Sequence, residues 1–333
     1  MSKKYDVFGM GNALVDFEFE VDDTFFVDNG IQKGLMTLVD EERQNFLMNV
    51  LHNIPAKKQC GGSAANTVIA LSQFGGKGYY SCKVAGDETG NFYAEDLNEN
   101  GVDSNLDHQE QPDGITGKCL VMISPDAERT MNTFLGITAE YDSSRINEEA
   151  LANSEYLYIE GYLITGPDSR KAIKHAMSLA RKHDTKIAIT FSDPGIIAGF
   201  KDFFMELLDE PVDMLFCNEA EALSFTSTDN IIEAREALKP FAKNFAITQG
   251  KNGAIIYDGL TYIDIEPYPV DAINTNGAGD MFAGAFLYGL TQNHGFAQSG
   301  IFATYASSQI VTVMGPRLEM SHAREVSRKI TEL

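Results

Sequence analysis

Short apolar runs of strand length recur along this 333-residue chain with helix-length stretches between them, and that alternation narrows the possible folds more than any other feature. The runs are YDVFGMG at 5–11, SEYLYIEG at 154–161, TKIAITFS at 185–192, VDMLFCN at 212–218 and FAITQG at 245–250. Between them lie stretches such as 168–182, which places Ala172, Ile173, Ala176, Leu179 and Ala180 on one helical face. Strands alternating with helices predict an α/β fold, a parallel sheet covered by helices on both faces. Two regions depart from this rhythm. Residues 15–21 alternate strictly between apolar and polar, and residues 115–135 read as a hairpin turning at Ser124-Pro125-Asp126-Ala127. Their polar faces need water, so they are expected to form a small antiparallel sheet lying over the edge of the main one as a lid.

Charge limits the partners. Asp and Glu number 48 against 26 Lys and Arg, a formal net charge of −22. Such a surface repels nucleic acid and anionic membranes, and it means that a polyphosphate ligand needs a shielded site of backbone N–H groups, a metal ion or a placed arginine. Cys60, Cys82, Cys119 and Cys217 show no Cys-x-x-Cys spacing. Free thiols suit a reducing cytosol, although four cysteines also permit two disulfides. The first residues lack the pattern of a signal peptide and no run is long enough for a membrane span, so a cytoplasmic location is expected.

Several segments carry chemistry. Gly9-Met10-Gly11-Asn12-Ala13-Leu14 approaches a dinucleotide fingerprint, but a strand follows it instead of the required helix, and that reading fails. Gly61-Gly62-Ser63-Ala64-Ala65-Asn66 lets backbone approach a ligand and opens a helix of small residues; Asn66 can both donate to and accept from a sugar hydroxyl, or the segment is simply a tight loop. Asn274-Thr275-Asn276-Gly277-Ala278-Gly279-Asp280 opens a helix expected over 281–290, with successive small residues exposing N–H groups to an anion. An acid there repels phosphate unless it accepts the proton of an attacking hydroxyl; the alternative is that Asp280 caps the helix. Asn218-Glu219-Ala220-Glu221 has capping-box spacing, and Glu221 also suits the water shell of a magnesium ion. Thr248-Gln249-Gly250-Lys251-Asn252-Gly253 is a glycine-rich turn fit for a nucleotide or for a plain hairpin.

Taken in order, the 61–66 and 274–280 segments resemble the two signatures of the ribokinase family of carbohydrate kinases, and 218–221 and 248–253 resemble its Asn-x-x-Glu motif and nucleotide loop. Within that family the chain is similar to adenosine kinases at Gly9–Asn12 with Asp16, at Tyr158–Gly161 and at Val212–Phe216. The resemblance implies a ribokinase-like three-layer α/β/α core with a mostly parallel sheet and a small β-sheet lid. It implies one domain over 1–333, with lid strands inserted at about 14–40 and 113–136. The implied activity is transfer of the γ-phosphoryl group of ATP to the 5′-hydroxyl of a nucleoside, adenosine to AMP, with a ribose- or fructose-like sugar or another nucleoside as the alternative. By motif, Asp280 would be the catalytic base and Gly277, Ala278 and Gly279 the anion hole. Asn12, Asp16, Gly62, Ser63 and Asn66 would hold the substrate, and Arg129 would come from the lid to the phosphates or else be a surface arginine. Asn218, Glu221, Thr248, Gly250 and Gly253 would hold ATP, with Glu221 reaching Mg2+ through water. Two departures stand out. Tyr162 and Leu163 occupy the place where adenosine kinases carry a purine-stacking aromatic, and 34–40 resembles sugar kinases equally well. Asn274 replaces the family's usual Asp, which weakens the case for a monovalent cation. Monomer and homodimer are both compatible with the sequence.

Overall fold

The computed structural model describes residues 3–126 and 128–332, so Ala127 of the expected turn lies outside the described residues. Runs such as Tyr5–Met10 are apolar at successive positions, which suits strands buried on both faces. They pair into a nine-stranded sheet, ordered β14-β13-β12-β11-β10-β9-β1-β5-β6. Its strands are β1 (Tyr5–Met10), β5 (Gly78–Ser81), β6 (Asp103–Ser104), β9 (Ser154–Glu160), β10 (Lys186–Thr190), β11 (Met214–Asn218), β12 (Phe245–Thr248), β13 (Ala254–Tyr257) and β14 (Tyr262–Ile265). The sheet is parallel from β6 to β12, and β13 and β14 run antiparallel at one edge. The short 249–253 and 258–261 connections dictate that edge, because a parallel neighbour needs a long crossover.

Alternate side chains of each strand enter two separate cores. Val7, Tyr158, Ala188, Phe216 and Ala246 pack on one face beneath helices Ser63–Gln73, Ala278–Thr291 and Phe296–Ile310. Phe8, Leu157, Ile189, Leu215 and Ile247 face the other way, beneath helices Pro167–Lys182, Pro194–Leu207 and Glu219–Thr226. This is the three-layer arrangement. The Ser63 and Ala278 helices lie against each other, and Gly284 permits it: a Cβ there would collide with the Thr67 carbonyl and the Ala70 methyl. All four cysteines are buried and unpaired. No helix among the described residues is long and apolar enough to cross a membrane.

The second sheet has five strands, ordered β3-β8-β7-β2-β4, from β2 (Leu14–Glu20), β3 (Met36–Leu38), β4 (Lys57–Gly61), β7 (Gly117–Ile123) and β8 (Arg129–Phe134). It is mixed, which corrects the expectation of an antiparallel lid: β2 pairs with β7, and β3 with β8, in parallel. The chain leaves this sheet after β4, builds β5 and β6 of the main sheet, and re-enters at β7 in the direction of β2. The strand β4, sequence KKQCG, has neither alternation nor branched residues and is not readable as a strand; pairing with β2 creates it. In β2, Val15, Phe17 and Phe19 are buried, while Asp16 and Glu18 are half-buried on the opposite face.

Candidate active site

Parallel sheets open a crevice at the carboxyl ends of their strands where the chain order reverses direction. Here that point lies between β1 and β9, whose neighbours continue outward on either side. The last residue of β9, Glu160, is 1% exposed and has no cation beside it. Its Oε1 accepts from the Asn12 N–H at 2.7 Å and its Oε2 from the Ala64 N–H at 2.8 Å. One buried carboxylate therefore joins the loop after β1 to the turn after β4. Two tyrosines reinforce the joint, Tyr80 donating to the Asn12 carbonyl at 2.9 Å and Tyr93 to the Gly61 carbonyl at 3.0 Å. Gly62 sits at φ 101° against the Asn12 carbonyl, where a Cβ would clash. Burial pushes the Glu160 carboxyl up to about 7; the two N–H donors partly offset this, and the nearby Asp280 charge adds to it.

Across this joint stands Asp280, in the first turn of a helix that spans Ala278–Thr291 and so begins earlier than the expected 281. It does not cap its own helix. Its Oδ1 accepts from the Ser63 hydroxyl at 2.6 Å and its Oδ2 from the Asn66 amide at 2.9 Å. Burial raises its proton affinity, and the bonds from Ser63 and Asn66 and the Arg317 charge offset part of that rise. The helix has no side-chain cap, and a Cβ built on Gly279 would meet nothing within 4 Å. No side chain thus covers the N–H groups of Gly277 and Gly279, which suit an anion, while the Ala278 N–H is turned to the Thr275 carbonyl at 3.3 Å. Gly277, at φ 77°, is pressed against the Pro316 backbone.

Asp16 projects from β2 beside Gly61, and burial pushes its carboxyl up to about 7; Glu18 adds to the rise, while Arg317 and Arg129 oppose it. Arg129 is not brought to the Ala278 helix by any hydrogen bond. Its guanidinium pairs with Glu18 under the lid. Of the two residues after Gly161, Leu163 is buried in the core, whereas Tyr162 stays partly open and donates to the Ser192 carbonyl at 3.3 Å. Ser192, at φ 68°, also accepts from the Gly161 N–H at 2.9 Å.

The remaining motif residues lie along the same carboxyl edge, where Asn218 is in register with Thr248. Asn218 and Glu221 form a full capping box: Glu221 N–H donates to Asn218 Oδ1 at 2.8 Å, and Asn218 N–H to Glu221 Oε2 at 3.0 Å. The Asn218 amide adds a bond to Glu221 Oε1 at 2.7 Å. Burial pushes Glu221, 5% exposed, up to about 7. Gly250 and Gly253 bracket the turn between β12 and β13, so this segment is a hairpin turn in form. No group of three or more His, Cys, Asp or Glu is gathered for a metal among the described residues. A divalent cation in this crevice would take phosphate and water oxygens, a set to which Glu221 fits as an outer acceptor. Asn274 accepts from the Asn276 N–H at 2.9 Å, so its oxygen, rather than its amide N–H, holds the loop.

Sequence reasoning missed two members. Arg317 donates through Nε to Asn66 Oδ1 at 2.8 Å and pairs through Nη1 with Asp96. Arg317 lies in no recognisable motif. Glu160 falls within the Tyr158–Gly161 segment that resembles adenosine kinases, but that resemblance gives it no role; an acid ending an apolar strand is the usable signal.

The pfkB family carbohydrate kinase model matches residues 36–323. The chain belongs to the PfkB family of carbohydrate kinases. Like its family, it is a phosphotransferase with an alcohol acceptor, and membership implies ATP as the donor. This PfkB kinase is 32% identical to a probable sugar kinase from Rhizobium etli CFN 42, with a TM-score of 0.88 over 99% of this chain and 100% of that one. It is 31% identical to the adenosine kinase from Sinorhizobium meliloti, with a TM-score of 0.88 over 98% and 99%. A 5-dehydro-2-deoxygluconokinase of Clostridium botulinum (strain Alaska E43 / Type E3) is 28% identical over 83% of this chain and 85% of its own length.

The raised Glu160 carboxyl has a thermodynamic signature. Its folded value of about 7 exceeds its ordinary 4.5, so between those values the folded state holds more protons than the unfolded one. Its contribution is fully present below pH ~4.5 and is lost as pH rises through ~7. Urea unfolding at pH 5 and pH 7.5 should show the Glu160→Gln variant losing less stability across that interval than the parent, by on the order of 1–3 kcal/mol. An equal loss in both proteins would contradict the assignment.

Proposed function

We propose that this PfkB kinase transfers the γ-phosphoryl group of ATP to the 5′-hydroxyl of a nucleoside, adenosine first. The observation that carries the reading is Asp280 held by both Ser63 and Asn66, at the open N-terminus of its own helix. In this reading Asp280 takes the proton of the attacking hydroxyl, its oxygen bonds to the γ-phosphorus, and the bond to the β–γ bridging oxygen breaks, releasing ADP. The N–H groups of Gly277, Ala278 and Gly279 meet the charge on the transferring group. The raised proton affinity of Asp280 favours the base role. Asn12, Asp16, Gly62, Ser63 and Asn66 surround the space for the ribose. Asn218, Glu221, Thr248, Gly250 and Gly253 line the nucleotide side. When bound, Mg2+ would neutralise phosphate charge there, with Glu221 holding a water in its shell. Arg129 reaches phosphate in this proposal only by exchanging Glu18 for it.

Electrostatics favour a neutral, hydroxyl-rich acceptor. Both arginines under the lid already have carboxylate partners, Glu18 and Asp96, while Asp16, Glu160 and Asp280 add negative charge. A nucleoside meets that field without penalty, whereas a sugar acid brings a carboxylate to a site whose Arg129 and Arg317 are already paired. The second reading, a sugar or sugar acid, is favoured by the similarity to the gluconokinase and the probable sugar kinase. We read 1–333 as a single kinase domain carrying its own lid, and place it in the cytoplasm, where its four free thiols are stable.

Asp280→Asn should lower kcat by about 10²–10⁴-fold while nucleotide affinity, measured by calorimetry, stays within a few-fold of the parent. Retention of half the parental kcat would remove Asp280 as the base.

Adenosine should give the highest kcat/KM in a panel with inosine, ribose, fructose and 5-dehydro-2-deoxygluconate. A higher value for any of the three sugars would replace the nucleoside reading with the sugar reading.

Potassium should activate weakly. The Asn274 oxygen is spent on the Asn276 N–H, and an amide lacks the charge that offsets cation desolvation. Rates in potassium and in a large organic cation at equal ionic strength should agree within about twofold; activation of several-fold specific to potassium would refute this.

A further inference from the structure

We infer that Arg317 is a positioning residue for phosphoryl transfer, fixing which way the Asn66 amide faces and thereby the aim of Asp280. The inference rests on the reading of Asp280 as the base. An asparagine amide is nearly symmetric in shape, and only its partners decide which end is oxygen and which is nitrogen. At Asn66 both ends are decided. Arg317 Nε donates to Oδ1 at 2.8 Å, which commits Nδ2 to Asp280 Oδ2 at 2.9 Å. Reversed, the amide would set its oxygen against the carboxylate and its N–H groups against the guanidinium. Both contacts would be repulsive.

The arginine is itself held. Its side chain is 8% exposed, and Nη1 pairs with Asp96 of the helix Glu88–Glu99. The segment that carries it is wedged between the two halves of the site. The Leu318 carbonyl accepts from Gln73 Nε2 at 3.1 Å, at the far end of the Asn66 helix, and the Pro316 backbone packs on Gly277 at the anion-binding turn. One short stretch thus touches the helix bearing Asn66 and the turn that starts the helix bearing Asp280. Asp96, Arg317, Asn66 and Asp280 form a chain of charge-assisted hydrogen bonds ending on the reacting group.

The groups that face Asp280 electrostatically are Arg317, Glu160 and Tyr158 at β9, and Tyr162 beyond it; Ser63 and Asn66 are its neutral partners. Arg317 supplies the positive charge that opposes the burial-driven rise of Asp280. Removing it should therefore shift Asp280 upward and move the acid limb of the kcat/KM profile to higher pH.

The test compares pH–rate profiles of the parent, Arg317→Met, Arg317→Lys and the double variant Asp96→Asn/Arg317→Met, with thermal unfolding to verify folding. The double variant does not leave the Asp96 carboxylate without its partner and so guards against loss of fold in the single one. Arg317→Met and the double variant should lower kcat on the order of 10²-fold, with a smaller change in KM, and move the acid limb upward. Arg317→Lys keeps the charge without the fork, so it should lower kcat while moving the limb less. Profiles repeated with Glu160→Gln in each background separate a limb set by Glu160. A limb that stays in place in both the Met and the double variant, with kcat within twofold of the parent, overturns the inference. Asp280→Asn in the same series keeps the two claims apart. If it stays active the base reading itself falls; if it is inactive while the Arg317 limb does not move, only the positioning role falls.

Discussion

Everything in the site depends on a carboxylate that does not serve its own helix. Asp280 begins an α-helix, where an acid ordinarily satisfies the exposed N–H groups beneath it. Instead both its oxygens are engaged by Ser63 and Asn66, residues 217 and 214 positions away in sequence. The consequence is double. The helix N-terminus is left without a side-chain cap, and the carboxylate is aimed across the gap toward the double-glycine turn. The close contact of the two helices at Gly284 makes that reach possible.

The same region shows how an acidic protein can handle phosphate. With a net charge of −22 and acids at Asp16, Glu160 and Asp280, it would repel a polyanion if side-chain charge were all that mattered. Its arginines are already paired with Glu18 and Asp96. The positive end of the proposed site is made of backbone N–H groups at a helix start, which add no net charge and cost no side-chain ordering. Burial raises the proton affinity of all three acids, which lowers their mutual repulsion while keeping proton transfer within reach.

Legibility in the sequence followed the range of the interactions. The strands of the main sheet were readable because their apolar runs are local, and so was the lid alternation at Asp16 and Glu18. The strand Lys57–Gly61 was not, since its conformation comes from pairing with Leu14–Glu18 and its residues have no preference for it. The parallel pairing of β2 with β7 was equally hidden, because strand direction depends on the path of everything between them. In the site, Asp280, Gly62 and Asn66 stood out by their spacing. The roles of Glu160 and Arg317 did not, because they consist of bonds to Asn12, Ala64, Asn66 and Asp96, each remote in the chain.

The sequence by itself determined the layer plan, the glycine turns, and the acid at the start of the Ala278 helix. These follow from periodicity, from backbone freedom and from residue order, all of which are written over a few adjacent positions. Only the tertiary structure decided what Asp280 binds, that Arg129 pairs with Glu18, that Tyr162 rather than Leu163 stays partly open, and that Arg317 bonds to Asn66. The physical reason is that a side chain's partner and proton affinity depend on which distant groups share its low-dielectric surroundings, and only the packed chain brings those groups together.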